Sequence, residues 1–230
     1  GRQLTRDGMY RALEAEGIAA GGGRGLQILW RVAQEGLICF GTREGKQHRF
    51  ALLDEWVPGA RRLARDEALA ELARRYFTSH EPATLQDFVW WSGLTTGNAR
   101  AGLEMVKSLL AHEVVDGHNY WFSQNVPIAD EQALRAYLLP SYDEYTVGYR
   151  DRSALFDPTE ANEGRSGSDV LHPVMVVDGR VRGTWKRVVK KDRVVVTRDP
   201  FGVLTAVEAE AVERAASRYS RFLGMPVSLS

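Results

Sequence analysis

The sequence predicts an α+β fold in which two helix–helix–hairpin units precede a small antiparallel β-sheet with a C-terminal helix. Three stretches carry that expectation. Residues 84–122 (TLQDFVWWSGLTTGNARAGLEMVKSLLAHEVVDGHNYWF) read as a short helix, a break at Gly93, a second helix and two strands joined at Asp116-Gly117, a dipeptide suited to a tight hairpin. Residues 4–57 repeat that order with little residue identity. Residues 173–198 alternate aliphatic and basic side chains, with Asp178-Gly179 and residues 190–192 at turn positions, as in a three-stranded meander.

In chain order, Thr5 is placed to cap a helix over residues 4–18 with Met9, Leu13 and Ile18 as its apolar residues. Gly17 and the glycines at 21–23 end it. Residues 24–35 form the next helix, with Leu26, Leu29, Trp30 and Ala33 at helical spacing. Strands at 37–40 and 48–53 flank the polar loop GTREGKQ. A linker helix over 65–77 carries Leu69, Leu72, Ala73 and Tyr76. Thr84 and Asp87 form a capping box for a short helix whose apolar face is Leu85, Phe88, Val89 and Trp91. Trp90 and Trp91 are read as core and inter-domain packing. A helix over 98–112 presents Ala99, Leu103, Val106 and Leu110, and strands at 113–115 and 120–122 complete the second unit. Residues 131–139 read as a helix stopped by Pro140, and 160–169 (EANEGRSGSD) as a loop. After the meander, residues 205–223 make a last helix, with a stripe of Val212, Ala215, Tyr219 and Phe222. The helix-turn-helix-wing order implies tandem winged helices, and the boundaries fall at 1–58, 59–125 and 126–230.

Thirty basic and thirty acidic residues give zero net charge, so nucleic-acid affinity must come from local patches. The single cysteine, Cys39, excludes an internal disulfide framework and a cysteine-rich zinc site, and its apolar setting, LICF, fits a buried thiol. The histidines at 48, 80, 112, 118 and 172 lack paired-ligand spacing, and no phosphate loop or dinucleotide fingerprint is present. No metal and no cofactor are therefore expected. No apolar run approaches the roughly 20 residues of a membrane span, and no signal peptide is visible, so no membrane partner and a cytoplasmic location are expected, with the chain as a monomer. The opening Gly1, in place of a methionine, suggests a fragment.

Five stretches in order, LICFGTREGKQHRFALLDEWVP (37–58), LARRYFTSHEPATLQDFVWWSGL (72–94), YLLPSYDEYTVGYRDR (137–152), VDGRVRGTWKR (177–187) and RYSRFLG (218–224), resemble the winged-helix DNA-binding family that includes the AlkZ-like DNA glycosylases. The resemblance covers most of the chain. It implies winged helices and a C-terminal β-rich domain around a basic channel for double-stranded DNA. It also implies, when complete, hydrolysis of the N-glycosidic bond of alkylated or crosslinked bases. The family's catalytic Gln-x-Gln or Gln-x-Asp motif belongs to a preceding winged helix and is expected upstream of residue 1. Gln3, followed by Leu4 and Thr5, does not match it, so no catalytic residue is carried over. A non-enzymatic winged-helix regulator and a protein-contact scaffold are the alternatives, since fold alone does not give function.

The candidate DNA-contact residues fall in three places. Arg24, Gln27 and Arg31 share one face of the 24–35 helix, where a solvated face is the competing reading. Arg43, Lys46, His48 and Arg49 make a basic wing tip. Residues 180–198 hold eight basic residues and one acidic. Strict alternation there places Arg180, Arg182, Thr184 and Lys186 on one sheet face and Arg187 on the other. The helix over 98–112, by contrast, is poor in basic residues. A separate cluster, Asp143, Glu144, Tyr145, Arg150 and Arg152, is either a polar network beside DNA or an ion-paired lock between domains.

Overall fold

The computed structural model describes residues 1–124, 134–156 and 171–230. The chain forms two compact units, Gly1–Leu63 and Ala64–Ser230.

The first unit contains β1 (Leu4–Thr5), α1 (Arg6–Ala15), α2 (Arg24–Gln34), β2 (Ile38–Glu44), β3 (Gln47–Leu52) and α3 (Leu53–Trp56), with the sheet in the order β1-β3-β2. The first helix starts later than its apolar spacing suggests. Leu4 and Thr5 are extended and pair with Phe50 and Arg49, and Thr5 Oγ1 then accepts the Gly8 N–H at 3.3 Å. The polar loop expected between the strands is absorbed into them. They run on to a two-residue turn at Gly45-Lys46, closed by the pair Glu44 and Gln47. Gly45 takes φ 59°, which the turn requires and glycine adopts at little cost. The core is small and includes Ala20, Leu29, Ile38 and Ala51. Leu26 and Trp30, expected to pack beside Leu29, are 48% and 65% exposed.

In the second unit α4 (Arg65–Ser79), α5 (Leu85–Ser92) and α6 (Thr96–Val106) close around Ala73, Tyr76, Phe77, Phe88, Ala99 and Leu103. The helix expected to continue to residue 112 stops at Val106. A 3-10 turn, Lys107–Leu109, leads into β4 (Leu110–Val115). Leu110 is still buried, so the helical spacing of apolar residues outlasts the helix itself. β5 (His118–Ser123) pairs with β4 across Asp116-Gly117, whose φ values of 49° and 78° suit a hairpin turn matched to strand twist.

β6 (Ala136–Leu139) stands where the sequence suggested a helix over 131–139. Its four residues lie antiparallel to β7, and residues 131–133 fall outside the described residues, as does the expected loop at 160–169. A short helix α7 (Glu144–Val147) and a 3-10 turn, Ser153–Leu155, follow. The meander is β7 (Val174–Val177), β8 (Arg180–Val189) and β9 (Val194–Pro200). α8 (Ala206–Leu223), capped by Thr205 and Glu208, lays Ala211, Val212 and Ala215 against Met175, Val177, Trp185, Val194 and Val196. Phe222, read as part of that stripe, is 84% exposed. An unanticipated strand, β10 (Val227–Leu229), runs parallel to β9, so the sheet β10-β9-β8-β7-β6 is mixed and not wholly antiparallel. Among the described residues no helix is long and apolar enough to cross a membrane.

Gly102 shows how closely α4 and α6 approach. A Cβ added there would lie 2.8 Å from the Leu69 carbonyl oxygen. Helix propensity alone favours alanine over glycine by about 1 kcal/mol, whereas overpacking against backbone costs about 1–3 kcal/mol. Gly102→Ala is therefore expected to lower the free energy of unfolding in a denaturant titration. An increase would show that the helices separate freely.

Candidate nucleic-acid interface

The first unit presents seven of the candidates. Arg24, Gln27 and Arg31 are exposed along α2, but Arg31 is drawn to Glu35, four residues on, at 2.7 Å. On the hairpin, Arg43 and His48 are cross-strand partners with Nη2 and Nε2 3.4 Å apart, and Arg49 Nε donates to Glu44 at 3.1 Å. Lys46 is exposed at the turn. These ion pairs are solvated, so each is worth at most about 1 kcal/mol and yields readily to a phosphate. A cleft of about 720 Å³ beside the hairpin is lined by Lys46, Arg49 and Arg11, with Glu44 as its carboxylate. Arg11 was not singled out from sequence, because on α1 nothing local connects it to the hairpin. Gln3 has a structural task there: its Oε1 accepts the Thr42 N–H at 2.9 Å and the Thr42 hydroxyl at 2.8 Å.

The basic strand in the second unit is divided. Along β7 and β8 the partners run Val177 with Arg180, Val176 with Val181, then Met175 with Gly183, leaving Arg182 as an extra residue. This β-bulge reverses the side-chain alternation beyond it. Arg180 shares a face with Val177, the side covered by α8, whereas Thr184 pairs with Val174 on the opposite side. The single row of Arg180, Arg182, Thr184 and Lys186 expected from alternation does not form. Arg182 reaches Glu208 at the start of α8, Nε to Oε1 3.2 Å. Arg187 lies over the Tyr219 ring, 5.9 Å from its centroid, and donates to the Tyr219 hydroxyl. Lys186 pairs with Thr197 and is exposed.

The polar segment at 143–152 is fastened on every side. Asp143 caps α7 by accepting the Tyr145 N–H at 3.0 Å. Glu144 Oε1 lies 2.9 Å from His80 Nε2 and also accepts from Trp91 Nε1. His80, 9% exposed, stacks on Tyr76 with centroids 4.5 Å apart. Tyr76 and Tyr149 donate to the carbonyls of Gly148 and His80, both at 3.1 Å. Burial raises both phenol pKa values, Tyr149 to about 12, so both stay protonated donors. The Arg150 N–H donates to Asp87 at 2.9 Å, and Tyr145 OH reaches the Gly179 carbonyl at 2.7 Å. Arg152 sits 5.6 Å from the Trp90 ring centroid. Trp90 and Trp91 are 54% and 38% exposed, not core residues, and are held through their indole N–H groups to Val147 O and Glu144. His80 and Asp87 are central to this network. The i, i+4 spacing of Tyr76 and His80 was a usable signal for the first, but nothing local signals that Asp87 reaches Arg150.

The profile of the DNA glycosylase AlkZ-like family matches residues 1–222. An interstrand DNA cross-link repair glycosylase from Streptomyces sahachiroi is 26% identical over 244 residues, covering 96% of this chain and 62% of that protein. The solved structure of Streptomyces sahachiroi DNA glycosylase AlkZ shares the fold, with a TM-score of 0.68 at 22% identity, over 99% of this chain and 65% of that one. The chain thus spans a little under two thirds of the length of these relatives.

Two variants test the contacts. Trp91→Phe removes the indole donor but keeps most of the ring, and is expected to cost about 1 kcal/mol in a denaturant titration; an unchanged midpoint would mean the bond to Glu144 contributes nothing. The Thr205 N–H, with Arg182 adding, holds the Glu208 carboxyl below its ordinary value. Its contribution is therefore full above the unfolded glutamate pKa of about 4.3 and lost as pH falls through the folded value. Glu208→Gln should destabilise at neutral pH, with the gap to the parent closing in acid. A gap independent of pH would contradict this.

Proposed function

We propose a duplex-DNA-binding role for this chain, which belongs to the AlkZ-like DNA glycosylase family. Each helix–helix–hairpin unit is then a winged helix. Arg24, Gln27 and Arg31 on α2, with Arg43, Lys46, His48 and Arg49 on the β2–β3 hairpin, meet the phosphates. Lys186 is a secondary contact on the sheet. Arg180, Arg182 and Arg187, which the bulge and α8 draw to the other side, contribute less. The observation that supports this reading, beside the family match, is the exposed hairpin tip, where surface ion pairs can exchange a carboxylate for a phosphate.

For the whole protein we assign hydrolysis of the N-glycosidic bond of a crosslinked or alkylated base, with this chain holding the duplex. The relative from Streptomyces sahachiroi, described as an interstrand DNA cross-link repair glycosylase, supports that assignment. Release of a damaged base from a crosslinked duplex by the full-length protein is the direct assay, and no release across a panel of alkylated and crosslinked duplexes would contradict it. Arg43→Glu with Lys46→Glu should weaken binding by a similar factor for unrelated duplexes, and should flatten the slope of log K against log salt by about 2. Unchanged affinity and slope would remove the hairpin from the footprint.

A further inference from the structure

A second feature of the larger unit has chemistry unsuited to DNA. A cleft of about 680 Å³ opens between the start of α5, the β4–β5 hairpin and the segment that follows α7. Its size is that of a small-molecule site. Tyr120, Tyr145 and Tyr149 line it, and Pro82 and Leu155 add apolar wall. Glu81 and Asp151 line it too, with Asp87 buried behind them and Arg150 and His118 as the basic residues among the lining.

Two of the rings are fixed at their far ends. Tyr145 OH donates to Gly179 O at 2.7 Å and Tyr149 OH to His80 O at 3.1 Å. Their hydroxyls are therefore committed elsewhere, and they contribute aromatic surface to the cleft. The carboxylates are held by neighbouring donors. Asp151 accepts the Ser153 N–H at 2.9 Å, which keeps its carboxyl below its ordinary value. Asp87 accepts from Thr84 and Arg150, and Glu81 from the Ser123 N–H. Burial first, and then the charges of Asp151, Asp87 and Asp116, push the Tyr120 phenol up. Aromatic ring faces beside carboxylates attract cations and repel phosphate.

We infer that this cleft binds a small organic cation with an N-methylated or aromatic head, seated against Tyr120, Tyr145 and Tyr149 and balanced by Asp151 and Glu81. The site is independent of the proposed DNA role, because a negative wall disfavours the DNA backbone. A tyrosine-lined wall supplies the ring faces, and the carboxylates select charge over shape.

Choline and its neutral isostere 3,3-dimethylbutan-1-ol are the probes, titrated into the whole chain and followed by calorimetry, with inorganic phosphate as the anionic control. Choline should bind, and the isostere should bind about tenfold more weakly, as expected when ring faces and carboxylates act on a desolvated cation. Asp151→Asn keeps an acceptor for Ser153 and should weaken choline several-fold while leaving the isostere unchanged. Tyr120→Leu, on the hairpin and outside the helical core, should weaken choline as well. Equal affinity for choline and its isostere would overturn the assignment. So would choline binding unmoved by both variants, or phosphate binding in place of choline.

Discussion

The larger unit depends on one buried carboxylate. Asp87 is 4% exposed and satisfies three donors: the Thr84 N–H and hydroxyl through Oδ2, and the Arg150 N–H through Oδ1. A buried anion is tolerated only when its lone pairs are taken up, and each lost partner leaves a desolvated charge. One side chain therefore both starts α5 and anchors the segment after α7. Once that segment is anchored, Glu144 meets His80 and Trp91, Tyr76 meets Gly148, and Tyr145 reaches the β7–β8 turn. The helical and sheet parts of the unit are joined through this chain of hydrogen bonds as well as through apolar contact.

The same network bears on the proposed DNA footprint. Among Asp143, Tyr145, Arg150 and Arg152, the first two have their side chains committed to backbone groups, and Arg152 is spent on the Trp90 ring. The bulge at Arg182 splits the basic strand, sending Arg182 to Glu208 and leaving Lys186 on the other face. The exposed cations of the β2–β3 hairpin face no such competing demand, since their partners are solvated neighbours on the same hairpin. That contrast is why the proposed footprint is centred on the first unit.

Much of the fold was legible where local chemistry decides it. Thr84 with Asp87 and Thr205 with Glu208 cap their helices, and Asp116-Gly117 sets the hairpin register. What failed depends on partners distant in sequence. Residues 136–139 look helical until β7 offers them a ladder, and Leu110 keeps a helical spacing after the helix has ended. Alternation along β8 fails because one inserted residue reverses its faces, and the close approach of Gly183 to the Asp199 carbonyl, 2.5 Å from where a Cβ would sit, is invisible without the third strand. The bulk of Trp90 and Trp91 points to core and inter-domain packing, yet it is their N–H groups that place them. The candidate site was legible as composition, in the basic wing, and much less as geometry, since Arg11 joins it only through the fold.

Hydrogen exchange of the chain with and without a short duplex, read by mass spectrometry at low salt, tests the central claim most directly. The account predicts new protection across residues 43–49 on the β2–β3 hairpin and none across 143–152, where the amides of 145–148 and 150 are already bound within the protein. Protection of 143–152 with the hairpin unchanged would contradict it, and would place the DNA on the polar segment anchored by Asp87.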